Sequence, residues 1–169
     1  MKKAIYVFAV CVTLIGCNQS KKEKETVTEK QPQTISSDDL IGSWKNISMK
    51  VTMKLEDRDS ILNVPKGKWQ EILKIKPIVT QFKKNGTYIS TYRSLDGQIF
   101  MTTNGSWELN GNKLKMVSEQ KKYTYTVSIK EDVATFKGKV DWDEDGQVDD
   151  IYIGKQRKIV KKKTEETNV

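Results

Sequence analysis

Apolar and polar residues alternate along much of the chain between residues 40 and 160. The clearest run covers residues 47–55, in which every second position is apolar: Ile47, Met49, Val51, Met53 and Leu55. A period of two places successive side chains on opposite faces of an extended strand, and it is typical of a strand with one buried face. A second run of this kind, residues 122–130, places apolar or aromatic side chains on one face: Tyr123, Tyr125, Val127 and Ile129.

Short turn sequences separate the alternating runs. Asn85-Gly86 and Asp96-Gly97 are strong hairpin sequences, and further turns are predicted at Asn104-Gly105, Asn110-Gly111 and Glu131-Asp132. The predicted strands are 47–55, 79–83, 87–92, 98–102, 106–109, 113–117, 122–130, 133–140 and 148–159, while 69–75 is either a short strand or a helical turn. No segment is long enough for a crossover helix, so neighbouring strands are predicted to pair antiparallel.

About eight strands joined by local turns predict an all-β fold. We expect an antiparallel up-and-down barrel over residues 40–160, because closing the sheet removes its exposed edges. Eight strands enclose either packed side chains or one small ligand. Six aromatic residues are candidates to line such a cavity or simply to pack in the sheet: Tyr88, Tyr92, Trp107, Tyr123, Tyr125 and Phe136.

Residues 56–68 interrupt the alternation and are predicted to form a loop. The segment begins with the charged run Glu56-Asp57-Arg58-Asp59 and contains Pro65 and Gly67. It is either a mobile surface loop or a lid over the barrel mouth, in which case its apolar side chains would face inward: Ile61, Leu62 and Val64.

Three phrases in residues 40–160 resemble the lipocalin-like domains of exported bacterial lipoproteins. They are Gly42-Ser43-Trp44, "FKKNGTYISTY" over 82–92 and "GSWELNGNKL" over 105–114. The resemblance implies a barrel in which Trp44 packs across the closed end. The alternative is that Trp44 is an ordinary core tryptophan in some other β fold.

The N-terminus has the pattern of an export signal. Lys2 and Lys3 precede an apolar run of about 12 residues, which is too short to span a bilayer as a helix. The run ends in Leu14-Ile15-Gly16-Cys17, which resembles the lipobox of bacterial lipoproteins. That resemblance implies a signal peptide over 1–16 and a lipid on the Cys17 sulfur. Without it, the segment is either an ordinary signal peptide with a chance Gly-Cys or an N-terminal buried helix.

Residues 17–39 are predicted to be a lipidated cysteine followed by a disordered tether. They are rich in Lys, Glu, Thr, Gln and Ser and show no apolar periodicity. No aspartate follows Cys17, and among lipoproteins of many Gram-negative bacteria this is compatible with delivery to the outer membrane. We therefore expect a cell-envelope protein attached to the membrane by its lipid. Residues 161–169 are expected to be a polar tail.

Composition limits the chemistry. The chain has 169 residues, a net charge of +8, two cysteines and no histidine. The absence of histidine removes the commonest general base, and no nucleophile motif is present, so we expect no enzyme. An exported chain is not expected to bind nucleic acid, although its excess of basic over acidic residues favours contact with anionic lipid headgroups or acidic polysaccharide.

The acidic segment "DWDEDGQVDD" is a candidate calcium loop. Its carboxylates are spaced by two and followed by glycine, and the predicted ligands are Asp141, Asp143, Asp145, the Gln147 carbonyl and Asp149. It resembles the calcium loops of the Asp-x-Asp-x-Asp-Gly class, but Tyr152 stands where an EF-hand has its bidentate glutamate. The alternative is an acidic surface hairpin without metal.

Together these features predict a lipid-anchored, lipocalin-like binding module of the cell envelope, with Ca²⁺ as a candidate cofactor. Its partner would be a small apolar ligand or an envelope component. The alternative is a structural or interaction lipoprotein whose barrel is filled by side chains. The volume of the barrel cavity discriminates between the two.

Overall fold

The computed structural model describes residues 34–160. Cys17, the signal segment 1–16, most of the predicted tether and the tail 161–169 lie outside the described residues. The described elements are α1 (Ser37–Leu40), β1 (Gly42–Lys54), β2 (Asp59–Val64), α2 (Trp69–Leu73), β3 (Val79–Phe82), β4 (Thr87–Arg93), β5 (Ile99–Asn110), β6 (Lys113–Ser118), β7 (Lys122–Lys130), β8 (Val133–Val140) and β9 (Asp150–Lys158). Neither helix in this part of the chain is long and apolar enough to cross a membrane.

The strands form a closed antiparallel up-and-down barrel, which confirms the predicted fold class. Strands β3 to β9 pair with their neighbours in chain order, and β9 pairs back onto β1 from Trp44↔Lys158 to Thr52↔Ile151. Eight strands therefore complete the ring, and this barrel is compatible with a lipocalin-like domain. The remaining strand, β2, extends the sheet beside the second half of β1.

A β-bulge in β1 changes which side chains face the core. Asn46 pairs with Gln156 but Ser48 pairs with Lys155, so Ile47 is an extra residue on β1. Trp44 and Asn46 are buried before the bulge, whereas Met49 and Val51 are buried after it. The prediction that Ile47 and Met49 lie on the same face of the strand is therefore wrong, because the bulge reverses the alternation between them.

The segment predicted as a loop contains β2. Residues 59–64 pair with β1 from Lys54↔Asp59 to Met49↔Val64. Val64 is fully buried while Ile61 remains exposed, so the lid interpretation, in which both would face inward, is wrong. Only residues 55–58 form a turn. The second half of β1 extends beyond the part that pairs with β3, so its backbone groups are free on that side, and β2 forms hydrogen bonds with them.

The turn predicted at Asn104-Gly105 is also wrong. Both residues lie inside the continuous strand β5, where Gly105 pairs with Tyr88 on one side and Ser118 on the other. A Cβ at Gly105 would collide with the carbonyl oxygen of Val117. The glycine is thus explained by close strand approach, not by a turn. The turns predicted at Asn85-Gly86, Asp96-Gly97, Asn110-Gly111 and Glu131-Asp132 all occur, and 69–75 contains the helical turn α2.

One end of the barrel is closed by Trp44 and α1. Trp44 is fully buried, and its Nε1 donates a 2.7 Å hydrogen bond to the Leu40 carbonyl oxygen. Ile35 is buried against the same core, and its backbone N–H donates to Asn112 Oδ1 in the β5–β6 turn at 3.1 Å. Ordered contacts therefore begin before residue 40, where the barrel domain was expected to start.

Candidate functional site: the barrel cavity and its mouth

The up-and-down topology places alternate connections at opposite ends of the barrel. The α1 end carries the β3–β4, β5–β6 and β7–β8 turns. The other end, here called the mouth, carries four connections: 55–58 between β1 and β2, 94–98 between β4 and β5, 119–121 between β6 and β7, and 141–149 between β8 and β9. The acidic segment thus lies at the mouth.

A cavity of about 450 Å³ occupies the barrel and reaches the mouth. Its wall includes inward residues of the strands, such as Met49, Thr80 and Met116, and residues of two mouth connections, such as Lys121 and Trp142. The core residues Leu114, Val127 and Trp44 fill the closed end and are fully buried. The barrel is therefore filled at one end and hollow toward the other.

Eight aromatic residues form much of the cavity wall: Phe82, Tyr88, Tyr92, Tyr123, Tyr125, Phe136, Trp142 and Tyr152. Five of the six predicted lining aromatics are among them. Trp107 is not, because it packs edge-on against Phe82 with ring centroids 5.6 Å apart and its Nε1 donates to the Lys83 and Thr87 carbonyls. Sequence analysis missed Phe82, Trp142 and Tyr152. In β9, the alternation through Asp150, Tyr152 and Gly154 is the pattern that could have predicted an inward-facing Tyr152.

Four of the aromatic rings form a continuous row along the wall. Ring centroids are 6.3 Å apart for Trp142 and Tyr152, 5.5 Å for Tyr152 and Tyr125, and 5.9 Å for Tyr125 and Tyr123. Gly154 makes room for this row, since a Cβ there would collide with the Tyr152 hydroxyl. Burial raises the pKa of Tyr123, Tyr125 and Tyr152, so these phenols stay neutral at physiological pH.

Polar side chains lie between the apolar and aromatic residues of the wall. Thr80 Oγ1 and Ser90 Oγ share a buried hydrogen bond of 2.8 Å. Asn46 and Gln156 face each other across the β1–β9 pair, and each has a buried side-chain oxygen without a hydrogen-bond partner. A concave site that combines apolar and aromatic walls with polar groups at fixed positions is typical of small-molecule sites.

Ionised groups of the cavity wall are confined to the mouth. Lys121 Nζ is 2.6 Å from Glu144 Oε1, and this hydrogen bond raises the pKa of Lys121 and lowers that of Glu144. Asp141 also lines the cavity. Its Oδ1 is buried and has no hydrogen-bond partner.

The structure brings Asp141 and Asp143 together, but the third carboxylate beside them is Asp150. One carboxylate oxygen from each of these residues lies within 4.8 Å of the others. Asp145 and Asp149 are not in this group; Asp145 Oδ1 instead accepts from the Gln147 backbone N–H at 2.7 Å. Sequence analysis missed Asp150 because the choice between adjacent aspartates depends on where β9 begins.

Asp150 is the structural centre of the acidic segment. It is almost fully buried. Oδ1 accepts from the Lys54 backbone N–H at 2.9 Å, and Oδ2 accepts from Trp142 N–H at 2.7 Å and Asp143 N–H at 3.4 Å. Desolvation opposes its ionisation, but the three backbone donors outweigh desolvation and lower the pKa of Asp150.

Asp143 has the opposite electrostatic environment. Desolvation, together with the negative charges of Asp145, Asp150 and Asp141, raises the pKa of the Asp143 carboxyl, against a hydrogen bond from the Asp145 N–H. A divalent cation would relieve this repulsion. Asp141 and Asp143 offer oxygens for it, whereas much of the Asp150 acceptor capacity is already used.

No protein-family model matches the chain, and no curated protein matches it.

Proposed function

We propose that this protein is a lipid-anchored binding module of the cell envelope, of lipocalin-like type, whose barrel holds one small molecule. The observation that supports this most directly is the cavity of about 450 Å³. Pockets for small ligands typically measure roughly 300–1,000 Å³ and combine apolar walls with a few polar groups. The alternative, an interaction protein with a filled barrel, needs side chains that occupy this space. The proposal includes neither catalysis nor nucleic-acid binding.

Filling the cavity should abolish ligand binding. Ser90 lines the cavity and is buried, so Ser90→Phe should place a ring in the space that a ligand needs. We expect binding of the fluorescent apolar probe N-phenyl-1-naphthylamine to weaken at least about tenfold, which corresponds to about 1.4 kcal/mol. Fluorescence titration measures this.

Ser128→Phe is the matched control, because Ser128 lies exposed on β7 and is not part of the cavity wall. Melting curves of both variants verify folding, since overpacking costs about 1–3 kcal/mol. Equal probe affinity in folded Ser90→Phe and in the wild type would contradict binding inside the barrel.

An envelope component is a second candidate partner, and exposed apolar residues favour it. The β4–β5 hairpin at the mouth exposes four large apolar side chains: Leu95, Ile99, Phe100 and Met101. Met101 also lines the cavity, so this surface is continuous with the site. A partner at this hairpin would contact the route by which a ligand enters.

Membrane attachment through Cys17 is part of the proposal. A lipoprotein cysteine carries more than one acyl chain, which gives stable anchoring where one chain is marginal. We expect Cys17→Ser to release the protein from the membrane fraction or to block removal of residues 1–16. Fractionation and mass spectrometry of the N-terminus measure both effects. Unchanged processing and membrane association in Cys17→Ser would contradict the anchor.

Calcium at the acidic segment is the proposed cofactor. Without a bidentate glutamate, its affinity should be weak, with a dissociation constant of about 10⁻⁴–10⁻³ M. Millimolar Ca²⁺ should raise the melting temperature of the protein, because an ion that binds only the folded state stabilises that state. Asp143→Ala should abolish the shift, whereas Asp57→Ala, in the exposed β1–β2 turn, should retain it. Identical melting curves in Ca²⁺ and in chelator would contradict the metal site.

A further inference from the structure

The cavity wall carries an unbalanced negative charge. Among the residues that line it, only Lys121, Asp141 and Glu144 are acidic or basic. Lys121 and Glu144 neutralise each other through their 2.6 Å ion pair, so the charge of Asp141 remains. This local sign is opposite to that of the whole chain, whose net charge is +8.

Glu144 pairs directly with the Lys121 ammonium, whereas Asp141 interacts with that charge only at longer range. The Asp141 Oδ1 is buried and accepts no hydrogen bond, and none of the ion pairs in the described part of the chain includes Asp141. Its close neighbours Asp143 and Asp150 are also acidic, so they increase the negative potential. A partly buried carboxylate of this kind gains most from a cationic group brought to it.

The wall next to Asp141 is built from aromatic rings. The row that begins at Trp142 continues through Tyr152 and Tyr125, with centroid separations of 6.3 and 5.5 Å. The faces of tryptophan and tyrosine rings attract cations within about 6 Å, and desolvation strengthens this attraction. The same rings also provide an apolar surface for the uncharged body of a ligand.

We infer that the barrel takes an organic cation, with an amine or quaternary ammonium group facing Asp141 and an apolar or aromatic body against Trp142, Tyr152 and Tyr125. This inference rests on the proposed function, because it specifies which ligand the same cavity holds. An anion would meet Asp141 without a free counter-charge in the wall, since Lys121 is engaged by Glu144. Charge therefore selects among ligands of equal size.

Three compounds of similar shape test this selection in the full-length chain: benzyltrimethylammonium, its uncharged isostere neopentylbenzene, and the anion benzylsulfonate. Each is added at equal concentration, within the solubility of the neutral compound, to protein loaded with N-phenyl-1-naphthylamine. Chelator is present so that no divalent cation screens Asp141. We expect the cation to displace the probe at a concentration at least tenfold lower than the neutral compound, and the anion to be weakest.

Asp141→Asn should remove the preference for the cation over neopentylbenzene. Asp145→Asn is the matched control: it removes one charge from the same segment, but Asp145 is exposed and outside the cavity wall, so the preference should persist. The wild-type comparison does not depend on how well either variant folds.

Equal displacement by the cation and the neutral compound would overturn the inference and leave the binding module intact. An unchanged preference in folded Asp141→Asn would overturn the role of Asp141. Failure of the wild type to bind the probe or any of the three compounds would instead overturn the proposed function, and the inference with it.

Discussion

Replacing Trp44 with alanine should lower the free energy of unfolding by about 3–5 kcal/mol, the usual loss for a buried large aromatic side chain. Trp44 has no exposed surface. Its ring seals the closed end, its Nε1 donates to the Leu40 carbonyl at 2.7 Å, and Lys158 Nζ lies 5.3 Å from the ring centroid. Truncation would leave a cavity and would remove the hydrogen bond from the Trp44 indole N–H to the end of α1.

Chemical denaturation at neutral pH measures this loss. Trp142→Ala is the matched control, because Trp142 lies at the mouth and is 40% exposed. Its stacking on Tyr152 is worth about 0.5–1.5 kcal/mol. A loss below about 1 kcal/mol for Trp44→Ala would show that the closed end does not depend on this tryptophan.

Asp150→Ala should cost about 3 kcal/mol at neutral pH. The carboxylate accepts hydrogen bonds from the backbone N–H groups of Lys54, Trp142 and Asp143, and it joins the end of β1 to the β8–β9 connection. A hydrogen bond to a charged group contributes about 1.5–3 kcal/mol, and a buried donor left unpaired adds a penalty. Asp149→Ala, one residue earlier and partly exposed, should cost far less.

The effect of Asp150 should also depend on pH. Its pKa in the folded state is lowered from 3.8, so its stabilisation is complete above the unfolded value and disappears as pH falls through the folded value. The difference in unfolding free energy between wild type and Asp150→Ala should therefore shrink below about pH 4. A constant difference across that range would contradict the role of the ionised carboxylate. Asp143 should affect the pH dependence of stability in the opposite direction. Its pKa is raised, so protonation of its carboxyl as the pH falls relieves the repulsion from neighbouring carboxylates.

The sequence by itself determined the all-β fold class and most of the turns. Asn85-Gly86, Asp96-Gly97, Asn110-Gly111 and Glu131-Asp132 all connect neighbouring strands, because a tight turn depends on the backbone preferences of a few adjacent residues. The face shared by Tyr123 and Val127 followed from alternation alone. Because the predicted connections from residue 79 onward are local, closing the sheet into a barrel removes most of its exposed edge.

Tertiary structure decided the details that make a site. The bulge at Ile47 shifts the register between β1 and β9, and β2 forms because β3 pairs only with the first residues of β1 and leaves the rest of that edge open. Gly105 lies within a strand because Val117 approaches it from β6. Asp150, and not Asp149, joins Asp141 and Asp143 because β9 begins at Asp150. The hollow half of the barrel depends on how side chains from all eight strands fill a shared volume, and no local pattern encodes that volume.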